Sequence, residues 1–259
     1  MRTISIMNHK GGCGKTTTAI NLSACLDYLG KRVLIIDFDP QCHATIGLSS
    51  AFEKPSKLLS TSLLNGSHFK NCIGRLSERF HIIPSDYSLS ETEGFLSRSI
   101  LSKNKLKEGL ASLSSDYDFA IIDCPPSRGI LVENALQAAE EIIIAMDCSF
   151  FTLHGVAQLM ALIENKRREG SANPRVRALA TMYDRRNRFS MEVLREMRNF
   201  FGNGLFNTVI HCNIKLREAA SYGLSIASYS KNARGFKDYL SLANEVLEES
   251  GFWPTLERG

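Results

Sequence analysis

The sequence predicts an α/β fold, a single domain over residues 1–259 with a doubly wound, mostly parallel sheet. Three features predict it. Short apolar segments lack the polar alternation of a half-solvated strand, so they read as strands buried on both faces. Segments with apolar residues at helical spacing stand between them. A glycine-rich run separates the first strand from the first helix, the context of an anion-binding loop.

Taken in order, residues 4–7 form a short strand that runs into the glycines, and residues 16–29 form a helix stopped by Gly30. Residues 32–37 and 80–84 are apolar strands, and 119–123 is a third that runs into Pro125-Pro126. Residues 141–146 and 177–182 add two more, and 208–210 a short one. The helix over 151–169 places Val156, Leu159, Met160 and Ile163 on one face, and the helix over 189–201 does the same with Phe189, Val193, Met197 and Phe200. Residues 50–115 are less regular and rich in Ser. Repeats and long linkers are absent from the sequence.

With 44% apolar and 22% charged residues the composition is globular, which excludes a mainly disordered, collagen-like or disulfide-built chain. The apolar runs 33–36 and 142–146 are closed by Asp37 and Asp147, far short of the roughly 18 residues of a membrane span. Residues 1–7 are too short an apolar stretch for a signal peptide. The seven cysteines have irregular gaps and neither metal-ligand nor redox spacing, so they read as reduced thiols of a cytosolic protein.

The strongest motif is Lys10-Gly11-Gly12-Cys13-Gly14-Lys15-Thr16-Thr17. Glycines let backbone N–H groups close around phosphate oxygens, and the following helix N-terminus adds partial positive charge. Lys15 is placed to reach the β- and γ-phosphates, and the Thr16 hydroxyl to ligate Mg²⁺, as in a P-loop NTPase. The first glycine of the ordinary pattern is replaced by His9, and an extra lysine, Lys10, opens the loop.

Two acidic stretches complete the pattern. Asp37 and Asp39 end the strand 32–37, where a parallel sheet presents residues to a ligand crevice. An Asp there holds a Mg²⁺-bound water, orients an attacking water, or caps the next helix. Asp123 ends the strand 119–123 before Cys124-Pro125-Pro126-Ser127 and reads as a Walker-B acid near Mg²⁺.

With Lys10 in the loop, the chain resembles the deviant-Walker-A ATPases, the group containing ParA/Soj partition proteins and MinD. Residues 117–127, 148–159, 181–186, 213–223 and 229–247 read like ParA/Soj segments, so the resemblance covers nearly the whole chain. It implies that Lys10 reaches the nucleotide of a second subunit, that Asp39 positions the hydrolytic water, and that Asp37 supports the metal's water shell. It further implies adenine contacts at Met182 and Asn213, ATP and Mg²⁺ as cofactors, a homodimer formed on ATP binding, non-specific DNA, and a ParB-like stimulating partner. Such a protein is cytoplasmic and nucleoid-associated, without a stable membrane anchor. Because the loop begins at residue 10, the resemblance is to the short type, without an N-terminal helix-turn-helix domain.

Residues 164–200 hold ten Lys or Arg against five acidic residues, a surplus larger than the whole chain's net charge of +4. Clustered Arg is the footprint of phosphate-backbone binding, and equally of a solvated surface. The resemblance assigns Arg186 to DNA contact, with Arg185 and Arg188 beside it and Lys215 and Arg217 extending the surface. Cys13, His154, His211 and Cys212 depart from the family's usual residues. Trp253 reads as packing on the domain.

The alternative reading is a MinD-like or flagellar-number-type positioning ATPase at the membrane or cell pole. Those end in a basic amphipathic helix, whereas here the last helix runs through Glu245, Glu248 and Glu249, which an anionic membrane repels. An iron protein reductase on this fold would need paired cysteines, which the spacing does not offer, and a tyrosine-kinase relative a C-terminal tyrosine cluster. A small-molecule ligase is the remaining metabolic class.

Overall fold

The structure is a computed structural model and describes residues 1–66, 69–98, 100–149 and 152–248. Among the described residues there are seven strands, most of them apolar and β-branched: β1 (Arg2–Met7), β2 (Val33–Asp37), β3 (Gly74–Arg75), β4 (Phe80–Ile83), β5 (Phe119–Asp123), β6 (Glu141–Asp147) and β7 (Arg175–Thr181). They form one sheet in the order β3-β4-β2-β5-β1-β6-β7, parallel except for the short edge strand β3. The helices are α1 (Lys15–Tyr28), α2 (His43–Gly47), α3 (Leu59–Asn65), α4 (Leu89–Leu96), α5 (Lys105–Ala111), α6 (Ile130–Ala138), α7 (Thr152–Arg168), α8 (Arg188–Phe201), α9 (Ile214–Ser221), α10 (Ile226–Tyr229) and α11 (Arg234–Glu248).

The strands are buried on both faces, and alternate residues feed two separate cores. Leu34, Ile36, Ala120 and Ile122 pack with Leu131 and Ala135 of α6, Val156 and Leu159 of α7, and Met197 of α8. Val33, Ile35, Ile121 and Ile143 pack with Leu22 and Leu26 of α1, Leu216 of α9, and Tyr239 and Leu242 of α11. Helix α1 is buried on almost every side, between the sheet and α11, where Thr18 and Tyr239 hydroxyls meet at 3.1 Å. That explains why it shows no amphipathic stripe in sequence.

The register places the functional strand tips side by side. Asp37 lies opposite Asp123 across β2 and β5, and Ile6 of β1 lies opposite Asp123 on the other side. The chain leaves β1 for β2 past β5, and later leaves β5 for β6 past β1, so the strand order reverses around β1. The crevice at such a switch point is where open α/β sheets bind ligands.

Two sequence expectations need correction. Residues 208–210 form no strand: Ile210 donates its N–H to the Ala180 carbonyl at 2.9 Å and accepts the Tyr183 N–H at 3.0 Å, but the flanking residues add only isolated bridges, Ala178 with Leu205 and Tyr183 with His211. Within the less regular stretch 50–115, the described residues form α3, β3, the expected strand β4, α4, α5 and short 3₁₀ turns, built from runs too brief to show a period. On α8 the buried stripe is Ser190, Val193, Leu194 and Met197, while Phe189 and Phe200 face solvent. The expectation for Trp253 and the side chain of His154 lie outside the described residues.

Candidate nucleotide site

Strand β1 runs into Asn8, which is buried and staples the loop. Its Nδ2 donates to the Ala145 carbonyl at 2.7 Å, and its Oδ1 accepts the Lys10 N–H at 3.0 Å. The loop then turns through Gly12 at φ +75° and Gly14 at φ +88°. A Cβ on Gly14 would meet only ordinary contacts with Thr181, so the left-handed backbone, rather than space, demands glycine there. Cys13 is buried, its carbonyl accepts from the Thr181 hydroxyl at 2.7 Å, and burial pushes its thiol up.

Helix α1 starts at Lys15 with no side chain capping it and no acid in its first turn. Its first amides, with the helix dipole behind them, form a ready anion site. Lys15 is itself buried, and its Nζ donates to a neutral group, the Lys10 carbonyl at 3.0 Å. A buried ammonium without an ion pair among the described residues is costly, and a phosphate group would offset that cost.

The acids gather on the other side. Asp37 is fully buried; its Oδ2 accepts from the Thr45 amide and hydroxyl, both at 2.7 Å, and its Oδ1 from the Asp39 amide at 3.2 Å. It therefore does cap α2, one of the roles the sequence left open. Burial, with the Asp39 charge adding, pushes its carboxyl up to about 6 against those hydrogen bonds. Asp123 is also fully buried, and neither of its carboxylate oxygens has a hydrogen-bond partner. Burial first, and the Asp37 charge second, hold it well above the usual carboxylate range. Asp39 is nearly buried, and its Oδ1 accepts the Gln41 amide at 2.9 Å.

Orphaned oxygens beside like charges suit a divalent cation. Among the described residues no three His, Cys, Asp or Glu side chains converge to ligate one alone. The donor set fits Mg²⁺, which keeps several waters and takes one or two protein oxygens together with phosphates.

Lys10 sits where the sequence did not foresee. Its Nζ donates to both oxygens of Asp147, at 2.8 and 2.6 Å, and to the Ser149 hydroxyl at 2.6 Å. In the single chain it thus closes on the tip of β6, next to β1. Asp147 and Ser149 were not among the expected site residues. Asp147 carried the one available signal, an acid ending an apolar strand as Asp37 and Asp123 do.

Beside the loop lies a cavity of about 510 Å³ lined by Gly14, Thr17, Thr181, Met182, His211, Cys212, Asn213 and Arg217 among others. It unites the expected Met182 and Asn213 with the start of α1. Met182 takes φ +53°, and Asn213 caps α9 by accepting the Lys215 amide at 2.9 Å. Arg217, expected on a DNA surface, borders this cavity, and exposed Lys215 pairs with Glu218 at 2.7 Å.

The basic stretch is less basic than its sequence. Arg177 is buried, lies 3.5 Å from the Phe206 ring centroid and pairs with Glu245 at 3.2 Å. Lys166 is buried against Glu133 and Glu169, and Arg168 pairs with Glu164. Arg186 is exposed and forks onto Asp184, holding that carboxyl down to about 2. Arg185, Arg188, Arg195 and Arg198 are exposed. Glu245 also accepts the Asn207 and Thr208 amides, so it faces the protein and offers an anionic membrane no charge to repel. Among the described residues no helix is long and apolar enough to cross a membrane.

Comparison with known proteins places the chain. A family model described as an AAA domain matches residues 1–177. The chromosome-partitioning ATPase Soj of Treponema pallidum is 38% identical over 255 residues, covering 96% of this chain and 98% of that protein. The chromosome partitioning protein ParA of Caulobacter vibrioides is 37% identical over 253 residues, covering 95% and 94%. Among solved structures, cobyrinic acid a,c-diamide synthase from Mycobacterium smegmatis with bound ATP analogue and magnesium superposes with a TM-score of 0.82 at 28% identity, covering 96% of this chain and 95% of that one. A phosphate loop opened by Lys10, three acids at adjoining strand tips, and this similarity along almost the entire length mean that the chain belongs to the ParA/Soj family of ATPases.

Proposed function

We propose that this ATPase is a dimerising switch that binds DNA without sequence preference while it holds ATP, and that segregates or positions DNA or another cargo. The observation that carries the reading is the placement of Lys10, a loop lysine held by a strand-tip carboxylate of its own chain at 2.6 and 2.8 Å. Lys10 keeps 34% of its side chain exposed and Asp147 16%, so a more highly charged triphosphate presented by a second copy can reach the ammonium and compete with that pair.

The loop amides and Lys15 hold the phosphates of ATP. Thr16, Asp37 and Asp123 would hold Mg²⁺ beside the phosphates, and the ion would supply positive charge to the transferred group. Asp39 orients the attacking water, and a ParB-like partner accelerates hydrolysis. Arg185, Arg186 and Arg188 contact the DNA backbone, with Lys215 and Arg217 at the edge; two facing copies double this basic surface and steepen the salt dependence. The protein works in the cytoplasm on the nucleoid.

The test is a DNA titration with ATP, with ADP and without nucleotide, each at two salt concentrations. Tight, salt-sensitive binding only with ATP is expected; equal binding in all three states contradicts the switch.

A further inference from the structure

His211 lines the cavity beside the phosphate loop, and its ring is held from three sides. Its backbone N–H and its Nδ1 both lie 3.0 Å from Oδ2 of Asp238, a nearly buried residue of α11. The other Asp238 oxygen accepts from Arg234 Nε at 2.8 Å. The Arg234 terminal nitrogen stands 3.3 and 3.2 Å from the two ring nitrogens. Near-equal distances of that size put it over the face of the ring rather than in its plane. The Tyr183 ring meets the imidazole edge-on, with centroids 5.4 Å apart.

This scaffold fixes the polarity of the ring. A carboxylate has only acceptor capacity to offer, so the Nδ1 that faces Asp238 carries the proton. With its proton on Nδ1, the ring has an acceptor lone pair on Nε2 in the ring plane, away from the face that the guanidinium covers. A purine base distinguishes itself at this point: adenine carries a 6-amino donor, guanine and hypoxanthine a 6-oxo acceptor.

We propose that His211, oriented by Asp238 and Arg234, selects adenine by accepting a hydrogen bond from its 6-amino group at Nε2. The proposal rests on the adenine-nucleotide reading above and adds a specificity-determining side chain to it. A base with a 6-oxo group would set acceptor against acceptor in a partly desolvated wall, which is disfavoured by more than the loss of one hydrogen bond.

The experiment measures binding of three magnesium-loaded nucleotides by calorimetry: ATP, purine riboside triphosphate, which lacks only the 6-amino group, and inosine triphosphate. The native protein is expected to bind ATP about two- to tenfold more tightly than the purine analogue, and roughly five- to hundredfold more tightly than the inosine nucleotide. His211→Phe should bind the purine analogue as the native protein does, which also shows that it is folded, and should lose the advantage of ATP. His211→Gln, which restores an acceptor, should recover part of it. Equal binding of ATP and the purine analogue by the native protein overturns the proposal, as does an undiminished ratio in His211→Phe. If none of the three nucleotides binds the native protein, the adenine-nucleotide reading falls as well.

Discussion

In the crevice above β1, β2 and β5, Lys15, Asp37 and Asp123 are buried without an ion pair among the described residues. Along residues 164–200, by contrast, Lys166, Arg167, Arg168, Arg177 and Arg186 each have a carboxylate of their own chain. Both regions concentrate titratable groups, but the first holds them where solvent cannot reach and, among the described residues, without an ion pair. Uncompensated buried charge costs folding energy, and it persists where a ligand supplies the missing partner. A paired surface cation projects little field outward, so the count of ten overstates the basic surface on which the proposed DNA contact would draw. Arg185, Arg188, Arg195 and Arg198, which are exposed, carry most of that surface.

The largest test of this contrast is Arg177→Ala. It leaves partly buried Glu245 without its cation and opens a hole beside Phe206, and should lower unfolding stability by about 2–4 kcal/mol in denaturant titration. DNA affinity of the folded fraction should be unchanged, because Arg177 never faces solvent. Lys15→Ala acts on the other region. It removes a charge-assisted hydrogen bond to phosphate and should weaken ATP binding by about ten- to hundredfold in calorimetry, with stability preserved or raised because a lone buried ammonium is gone. Unaltered ATP affinity would mean that the phosphates lie elsewhere.

Asp147→Asn sharpens the comparison at their boundary. Lys10 loses its own-chain counter-charge, so the ATP concentration giving half-maximal dimer should fall by about two- to fivefold. The smallest effect is expected from Arg188→Ala. It should weaken DNA binding a few-fold and flatten the slope of log affinity against log salt by about 0.9 for each DNA phosphate that the protein no longer neutralises. Lys166→Ala, whose ammonium is internally satisfied, should leave that slope alone.

The legibility of these regions in sequence follows the same physics. The phosphate loop demands particular residues at fixed spacing, since Gly12 and Gly14 need a left-handed backbone and Lys15 must open a helix. Strands buried on both faces, such as β2 and β5, announce themselves as unbroken apolar runs. A cation's partner, however, is a long-range fact: Glu245 lies 68 residues from Arg177, and Asp147 lies 137 from Lys10. No local period records such pairs, so neither the patch nor the position of Lys10 is legible in the chain alone. The same holds for 208–210, whose apolar run reads as a strand yet meets the sheet only at Ile210 and the bridges flanking it.

The central claim is that Lys10 leaves Asp147 to complete the site of a second copy. Sedimentation velocity of Asp39→Ala, which should retain ATP, measures it directly. With saturating MgATP the particle should double from 28.8 kDa, and adding Lys10→Ala should return it to a single chain. A mass that stays at one chain at saturating ATP, or doubles equally without Lys10, would contradict the account.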